Sequence, residues 1–161
     1  MAVSVAVLPG SYDPMTLGHL DLVHRALALY DRVVVAVMNN EQKMYRFDMD
    51  ERVHIAALTL AGLDRVTLTH SAGLLVDLFD AVGGTVIVKG VRDERDRAYE
   101  EEMAAWNIAH NPRAKTVLLQ AEDAYRGVCS TAVRDLLAKK KEPVGLVAPA
   151  VLAYFKECGF C

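Results

Sequence analysis

Five short runs rich in β-branched residues recur along the chain, separated by segments with apolar residues at helical spacing, and this alternation leaves few folds open. Val3-Ser4-Val5-Ala6-Val7-Leu8, bounded by Pro9-Gly10, reads as a buried first strand. Leu20, Val23, Leu27 and Tyr30 then form a helical face able to pack on a sheet, and Asp31-Arg32 leads into a second strand from Val33 to Met38. Asp48, with Glu51 three residues on, predicts a capping box that opens a helix through about Leu60. Arg65 to Thr69 is a third strand, and Leu74 to Ala81 a helix closed by Gly83-Gly84. Thr85 to Val88 is a fourth strand. A long helix from Asp93 to His110 follows, with Tyr99, Met103 and Trp106 in one stripe and Asn111-Pro112 as its stop. Thr116 to Leu119 makes a fifth strand, and helices are expected from Ser130 to Ala138 and around Pro149 to Glu157.

Strands alternating with helices require crossover connections. The expected fold is therefore α/β: a doubly wound, Rossmann-like, five-stranded parallel sheet with helices on both faces and strands apolar throughout. At 161 residues, one domain spanning the chain is enough to bury a core. Hydrophobic residues make up 53% of the chain, yet no run approaches the roughly twenty that cross a bilayer, so no membrane partner is expected. Met1-Ala2-Val3-Ser4 enters the first strand without a basic region, which predicts neither a secretory signal nor a transit peptide, and hence a cytoplasmic protein. The net charge of −3, with both signs intermixed, argues against broad nucleic-acid binding, so any anion must be captured locally. Cys129, Cys158 and Cys161 are too few for a disulfide framework, and the terminal Cys-x-x-Cys lacks the second pair that a tetrahedral zinc site needs.

Open parallel sheets bind ligands outside the carboxyl ends of their strands, which directs attention to the segments after strands one, two, four and five. The first is Pro9-Gly10-Ser11-Tyr12-Asp13-Pro14-Met15-Thr16-Leu17-Gly18-His19. Gly18 permits close backbone approach, the helix start exposes unpaired N–H groups, and His19 in the first turn adds a donor, so together they make an anion site that the Ser11 hydroxyl extends. The glycine spacing fits neither the dinucleotide fingerprint nor a P-loop.

This segment resembles the nucleotidylyltransferase superfamily, in which T-x-G-H at the helix start binds a triphosphate. Lys89-Gly90-Val91-Arg92, Tyr99-Glu100, Val128-Cys129-Ser130-Thr131, Pro9 to Pro14 and Asp50-Glu51-Arg52-Val53 are together similar to the phosphopantetheine adenylyltransferase pattern, in one register from Pro9 to Thr131. The resemblance implies transfer of AMP from ATP to 4′-phosphopantetheine, giving dephospho-coenzyme A and pyrophosphate without a covalent intermediate. It implies magnesium carried mainly by ATP, no metal ligands from the chain, and a homohexamer. It also implies residue roles. His19 stabilises the transition state, while Ser11, Lys43, Leu75 and Lys89 bind phosphopantetheine. Ser11, Tyr12, His19, Gly90, Val91, Arg92, Glu100, Tyr125, Arg126, Gly127, Val128, Cys129, Ser130 and Thr131 bind ATP.

The sequence departs from the pattern at three single positions and in one four-residue run. Lys89 stands where many members have arginine, keeping the charge but not a bidentate fork for phosphate. Leu17 replaces a usual asparagine, Arg97 an aromatic, and Val128-Cys129-Ser130-Thr131 a more serine-rich run. Two other readings stay open at this level: the same scaffold with another acceptor, such as nicotinamide mononucleotide or glycerol phosphate, and an ATP-binding sensor without turnover. Read residue by residue, Ser130 and Thr131 also suit helix capping, and Asp93 to Arg97 a solvated helix start. His24, His54, His70 and His110 share no ligand spacing.

Overall fold

In the computed structural model, which describes residues 2–161, five strands form one parallel sheet in the order β3-β2-β1-β4-β5. The strands are β1 (Val5–Gly10), β2 (Arg32–Met38), β3 (Val66–Ser71), β4 (Val86–Val91) and β5 (Thr116–Gln120). The helices are α1 (Leu17–Leu29), α2 (Met49–Leu60), α3 (Leu75–Ala81), α4 (Glu94–His110), α5 (Ser130–Ala138) and α6 (Pro149–Glu157). Alternate residues of the central strands go to opposite faces, and each face has its own helices. Ala6, Leu8, Val33, Val35, Val37 and Val88 pack with Val23 and Ala26 of α1 and Ala56 and Leu60 of α2. Val7, Val34, Ala36 and Ile87 pack on Val76 and Phe79 of α3. The doubly wound, Rossmann-like expectation is met. A third apolar cluster joins Phe47 and Ile55 to α5 and α6, with the Phe47 and Phe155 rings stacked at 5.6 Å. Leu17 packs against this cluster, so an apolar side chain is well suited where the family pattern has asparagine.

Element boundaries moved through contacts between segments distant in sequence. The first and fourth strands begin later than expected, at Val5 and Val86, and the Val5 N–H is taken by the Thr85 hydroxyl at 2.8 Å. The third begins at Val66 because Arg65 turns left-handed (φ 65°), and its guanidinium donates to the carbonyls of Tyr30 and Asp31 at the end of α1. The expected capping box of α2 is present, with the Asp48 carboxylate accepting the Glu51 N–H at 2.8 Å.

The expectation of uniformly apolar strands holds for β1 and for Val33 to Met38 of β2, whereas β4 runs past Val88 and takes Lys89 and Gly90 into the strand itself. β3 and β5 lie at the sheet edges and are only partly buried. The α4 stripe also differs from a core-facing one: Tyr99, Met103 and Trp106 remain 61%, 39% and 41% exposed, and Asn107 is the helix's buried residue. No helix among the described residues is long and apolar enough to cross a membrane.

One topological feature creates the crevice. β1 pairs with β2 from Val5↔Arg32 to Gly10↔Val37, but with β4 only at Ala6↔Val86 and Val7↔Ile87. Past Val7 the two central strands part, and their following loops leave in opposite directions, as expected at a switch point in strand order.

Candidate active site

His19 is fixed by a capping box of its own. The Thr16 side chain accepts the His19 N–H at 3.4 Å, and the Thr16 N–H donates to His19 Nδ1 at 2.9 Å. A ring nitrogen that accepts an amide proton carries none itself, so the neutral imidazole holds its proton on Nε2. Burial, reinforced by the positive charges of Lys89 and Arg92, lowers the His19 pKa to about 4, so the ring is neutral near pH 7. Only part of the ring surface reaches the crevice, and the Tyr12 ring meets it edge-on at 4.9 Å.

Tyr12 itself is buried and left-handed (φ 47°), and its hydroxyl donates to the Leu8 carbonyl at 2.8 Å. That hydroxyl is therefore engaged inside the protein, and burial pushes its pKa up. The residue buttresses His19 and can offer a ligand only its backbone or ring edge. A β-carbon at Gly10 would sit 3.0 Å from this ring, which explains the glycine there.

The close backbone approach expected at Gly18 is present, and the chain itself makes it. The atom that comes close is the chain's own Val128 carbonyl oxygen, 2.4 Å from where a β-carbon would lie. The seam between the start of α1 and the segment before α5 continues with the Thr16 hydroxyl on the same Val128 oxygen (3.4 Å), the Ser130 hydroxyl on the Pro14 carbonyl (2.8 Å) and the Arg134 guanidinium on the Asp13 carbonyl (2.9 Å). Neither Ser130 nor Thr131 caps α5. The cap position is Cys129, whose side chain makes no cap hydrogen bond, while the Thr131 hydroxyl accepts from Arg134 at 3.2 Å. The first amides of α5 thus keep their donors free of any side-chain cap.

Three cations come from two rims. Lys43, in the loop after β2, has its Nζ 3.5 Å from the Ser11 hydroxyl. Lys89 lies 3.3 Å from the Pro9 carbonyl and 3.5 Å from the Glu100 carboxylate, and Arg92 lies 3.0 Å from Asp96. The sequence reading assigned Lys89 and Glu100 to different substrates, whereas the structure pairs them. Partly exposed ion pairs of this kind contribute about 1 kcal/mol or less, so a phosphate can displace the carboxylates.

The cavity where these groups meet has a volume of about 550 Å³. Ser11, Tyr12, His19, Lys43, Leu75, Lys89, Gly90, Arg92, Glu100, Tyr125, Val128, Cys129, Ser130 and Thr131 all line it. Val91 instead is fully buried in the sheet, the Arg126 guanidinium turns to Asp123 at 3.4 Å, and Gly127 faces open space. The lining also includes Asn107, Thr116 and Arg134, which the sequence reading missed. Asn107 follows Glu100 by seven residues on the inward face of α4, and Arg134 follows Ser130 by four on α5, so extending each helical face by one or two turns would have found them. The Thr116 hydroxyl is buried without a partner. No group of three or more His, Cys, Asp or Glu among the described residues is arranged to hold a metal.

The chain matches the family described as cytidylyltransferase-like over residues 7–136. It is 40% identical over 134 residues to the phosphopantetheine adenylyltransferase of Limosilactobacillus fermentum, covering 83% of this chain and 78% of that protein. Identity to the proteins of the same name from Acidovorax sp. (strain JS42) and Latilactobacillus sakei is 40% over 151 residues and 37% over 158, covering 94% and 98% of this chain and 92% and 96% of theirs. A crystal structure of the lipopolysaccharide core biosynthesis protein from Thermoplasma volcanium GSS1 shares the fold, with a TM-score of 0.57, 21% identity, and coverage of 76% of this chain and all of that one.

Proposed function

The chain belongs to the phosphopantetheine adenylyltransferase family of nucleotidyltransferases, and on that premise we propose that it transfers the adenylyl group of ATP to the phosphate of 4′-phosphopantetheine, a step of coenzyme A synthesis carried out in the cytoplasm. An acceptor phosphate oxygen attacks the α-phosphorus, a new phosphoanhydride bond forms, and the bond to the bridging oxygen breaks with its electron pair leaving on pyrophosphate. No covalent intermediate is needed. The reaction demands alignment of two anions and compensation of charge growing on the leaving group. The observation that carries this reading is the convergence of Ser11, His19, Lys43, Lys89 and Arg92 on one crevice where β1 and β4 part.

In this reading the Nε2 proton of neutral His19 donates to an α-phosphate oxygen. Ser11 and Lys43 hold the acceptor phosphate, joined by Lys89 once it leaves Glu100, and Arg92 leaves Asp96 for the nucleotide. The uncapped amides of α5 and the loop from Tyr125 to Thr131 take further ATP oxygens. At the other end, Leu75 supplies apolar contact to the pantetheine arm, while Asn107 and the unpartnered Thr116 hydroxyl suit its amides. Magnesium carried by ATP would keep most of its waters and offset phosphate charge, since no group of three or more His, Cys, Asp or Glu among the described residues is arranged to hold it. The working assembly in this reading is a homohexamer.

Pyrophosphate release is the direct test, with magnesium, ATP and each of three acceptors. Turnover is expected with 4′-phosphopantetheine and not with nicotinamide mononucleotide or glycerol phosphate. The reverse pattern would remove the proposal, and ATP binding without pyrophosphate release would favour a sensor. Lys43→Ala should raise the KM for the acceptor by about tenfold or more, the cost of one charge-assisted bond, and leave the KM for ATP nearly unchanged. Equal losses for both substrates would count against the Lys43 assignment.

A further inference from the structure

We infer that Arg52 is a positioning residue of this site, a buried guanidinium that ties the ends of β1 and β2 to the Lys43 loop and leaves its charge unneutralised behind Ser11. The inference rests on the reaction proposed above for its kinetic part only.

Arg52 lies in the first turns of α2 and is 1% exposed, the largest of the fully buried side chains. Its Nε donates to the Phe47 carbonyl (3.1 Å), Nη1 to the carbonyls of Ser11 (3.0 Å) and Met38 (3.1 Å), and Nη2 to the Asn39 side-chain oxygen (2.6 Å). The guanidinium also covers the Tyr45 ring at 3.9 Å. Four of the five N–H groups are thus used, and every acceptor is neutral. No carboxylate among the described residues pairs with it. A buried cation ordinarily has a carboxylate partner, because desolvation of a lone charge is costly. Carbonyl dipoles do that work here, so the net charge survives.

The bonds have a geometric consequence. Ser11 ends the β1 rim, Met38 and Asn39 end β2, and Phe47 closes the loop that carries Lys43. One planar fork spans all three. The Asp13 carboxylate, from the β1 side, accepts the N–H groups of Arg46 and Phe47 at 2.8 and 2.9 Å. Residues 39–47 are therefore pinned at both ends, with Lys43 in the middle, and that pinning brings Lys43 Nζ to the Ser11 hydroxyl. Lysine could not replace the fork, since three donors on a point charge cannot reach acceptors on three segments. Behind Ser11, the buried charge is weakly screened by salt and adds to the attraction for a dianionic acceptor phosphate.

The test compares Arg52→Lys and Asn39→Ala with the wild-type full chain. Hydrogen exchange in the ligand-free protein is expected to quicken in residues 11–13 and 39–47 of both variants, with β4 and α5 unchanged. In kinetics, Arg52→Lys should raise the KM for 4′-phosphopantetheine about tenfold, with the KM for ATP within twofold. Asn39→Ala, which loosens one tie and keeps the charge, should give about threefold with the same selectivity. A merely structural role would instead lower kcat as active enzyme is lost and leave both KM values alone. Unchanged exchange in 39–47, or parallel rises in both KM values, overturns the inference. Should Arg52→Lys fail to fold, Asn39→Ala carries both measurements. Should the wild type show no turnover, the proposed reaction fails, and exchange alone still decides for or against Arg52.

Discussion

Replacing His19 with alanine should lower turnover with ATP and 4′-phosphopantetheine by a factor of hundreds while the KM values change only a few-fold. The size follows from the kind of group removed: one preorganised donor aimed at developing charge is worth about 10²–10³ in kcat. Preorganisation is visible in the Thr16 N–H bond to Nδ1, which leaves the Nε2 proton as the ring's donor without reorganisation during reaction. An interaction strengthened only in the transition state lowers kcat when lost and spares ground-state binding. Wild-type-like turnover would remove His19 from the chemistry.

The same variant has a signature in acid stability. A folded pKa of about 4, below the ordinary histidine value of 6.5, means the unfolded chain takes up a proton on His19 first as pH falls. The stability associated with neutral His19 is complete above about 6.5 and is lost as pH falls through that value toward 4. His19→Ala lacks this dependence, so melting curves should show its Tm drawing nearer the wild type, or passing it, between pH 7 and 4. Parallel Tm profiles would contradict the neutral buried imidazole.

Gly18→Ala is expected to damage both stability and turnover, through a different route. Its new methyl would lie 2.4 Å from the Val128 carbonyl oxygen, and both atoms belong to or hang directly on backbone, so no side chain can swing aside. Relief must come from moving the start of α1 away from the segment before α5. The Thr16–Val128 and Ser130–Pro14 bonds cross that seam and would lengthen together. Overpacking of this kind costs about 1–3 kcal/mol, and a chain of this size loses about 2–4 °C of Tm per kcal/mol. Because His19 is the next residue, misplacement approaching 1 Å should reduce turnover by about 10²-fold. Gly127→Ala is the stability control: nothing lies within 4 Å of its β-carbon position, and its Tm should stay near the wild type. A Gly18→Ala protein with unchanged Tm would show that the seam yields freely.

The element order could be read in advance because β-branched runs and helical spacing are local signals, and the capping box at Asp48 is written in residues three apart. The boundaries that moved did so through contacts from elsewhere, as when Arg65 left the third strand to cover the end of α1. The exposed stripe on α4 misled because spacing reports a shared face and not which face meets the sheet. There the inward line is Glu100, Ala104 and Asn107, polar enough to carry no hydrophobic signal.

By itself, the sequence determined that this chain would form a doubly wound parallel sheet and that its charged and hydroxyl-bearing segments would lie at or just after the carboxyl ends of strands, since periodicity and turn residues act over a few positions. Tertiary structure decided the pairings: Lys89 with Glu100, Gly18 against Val128 and Arg52 across three segments. Most of these depend on where β1 and β4 part and on how the loops fold back over that gap. Strand order and splay arise from packing among residues up to a hundred or more positions apart, and no local pattern encodes them.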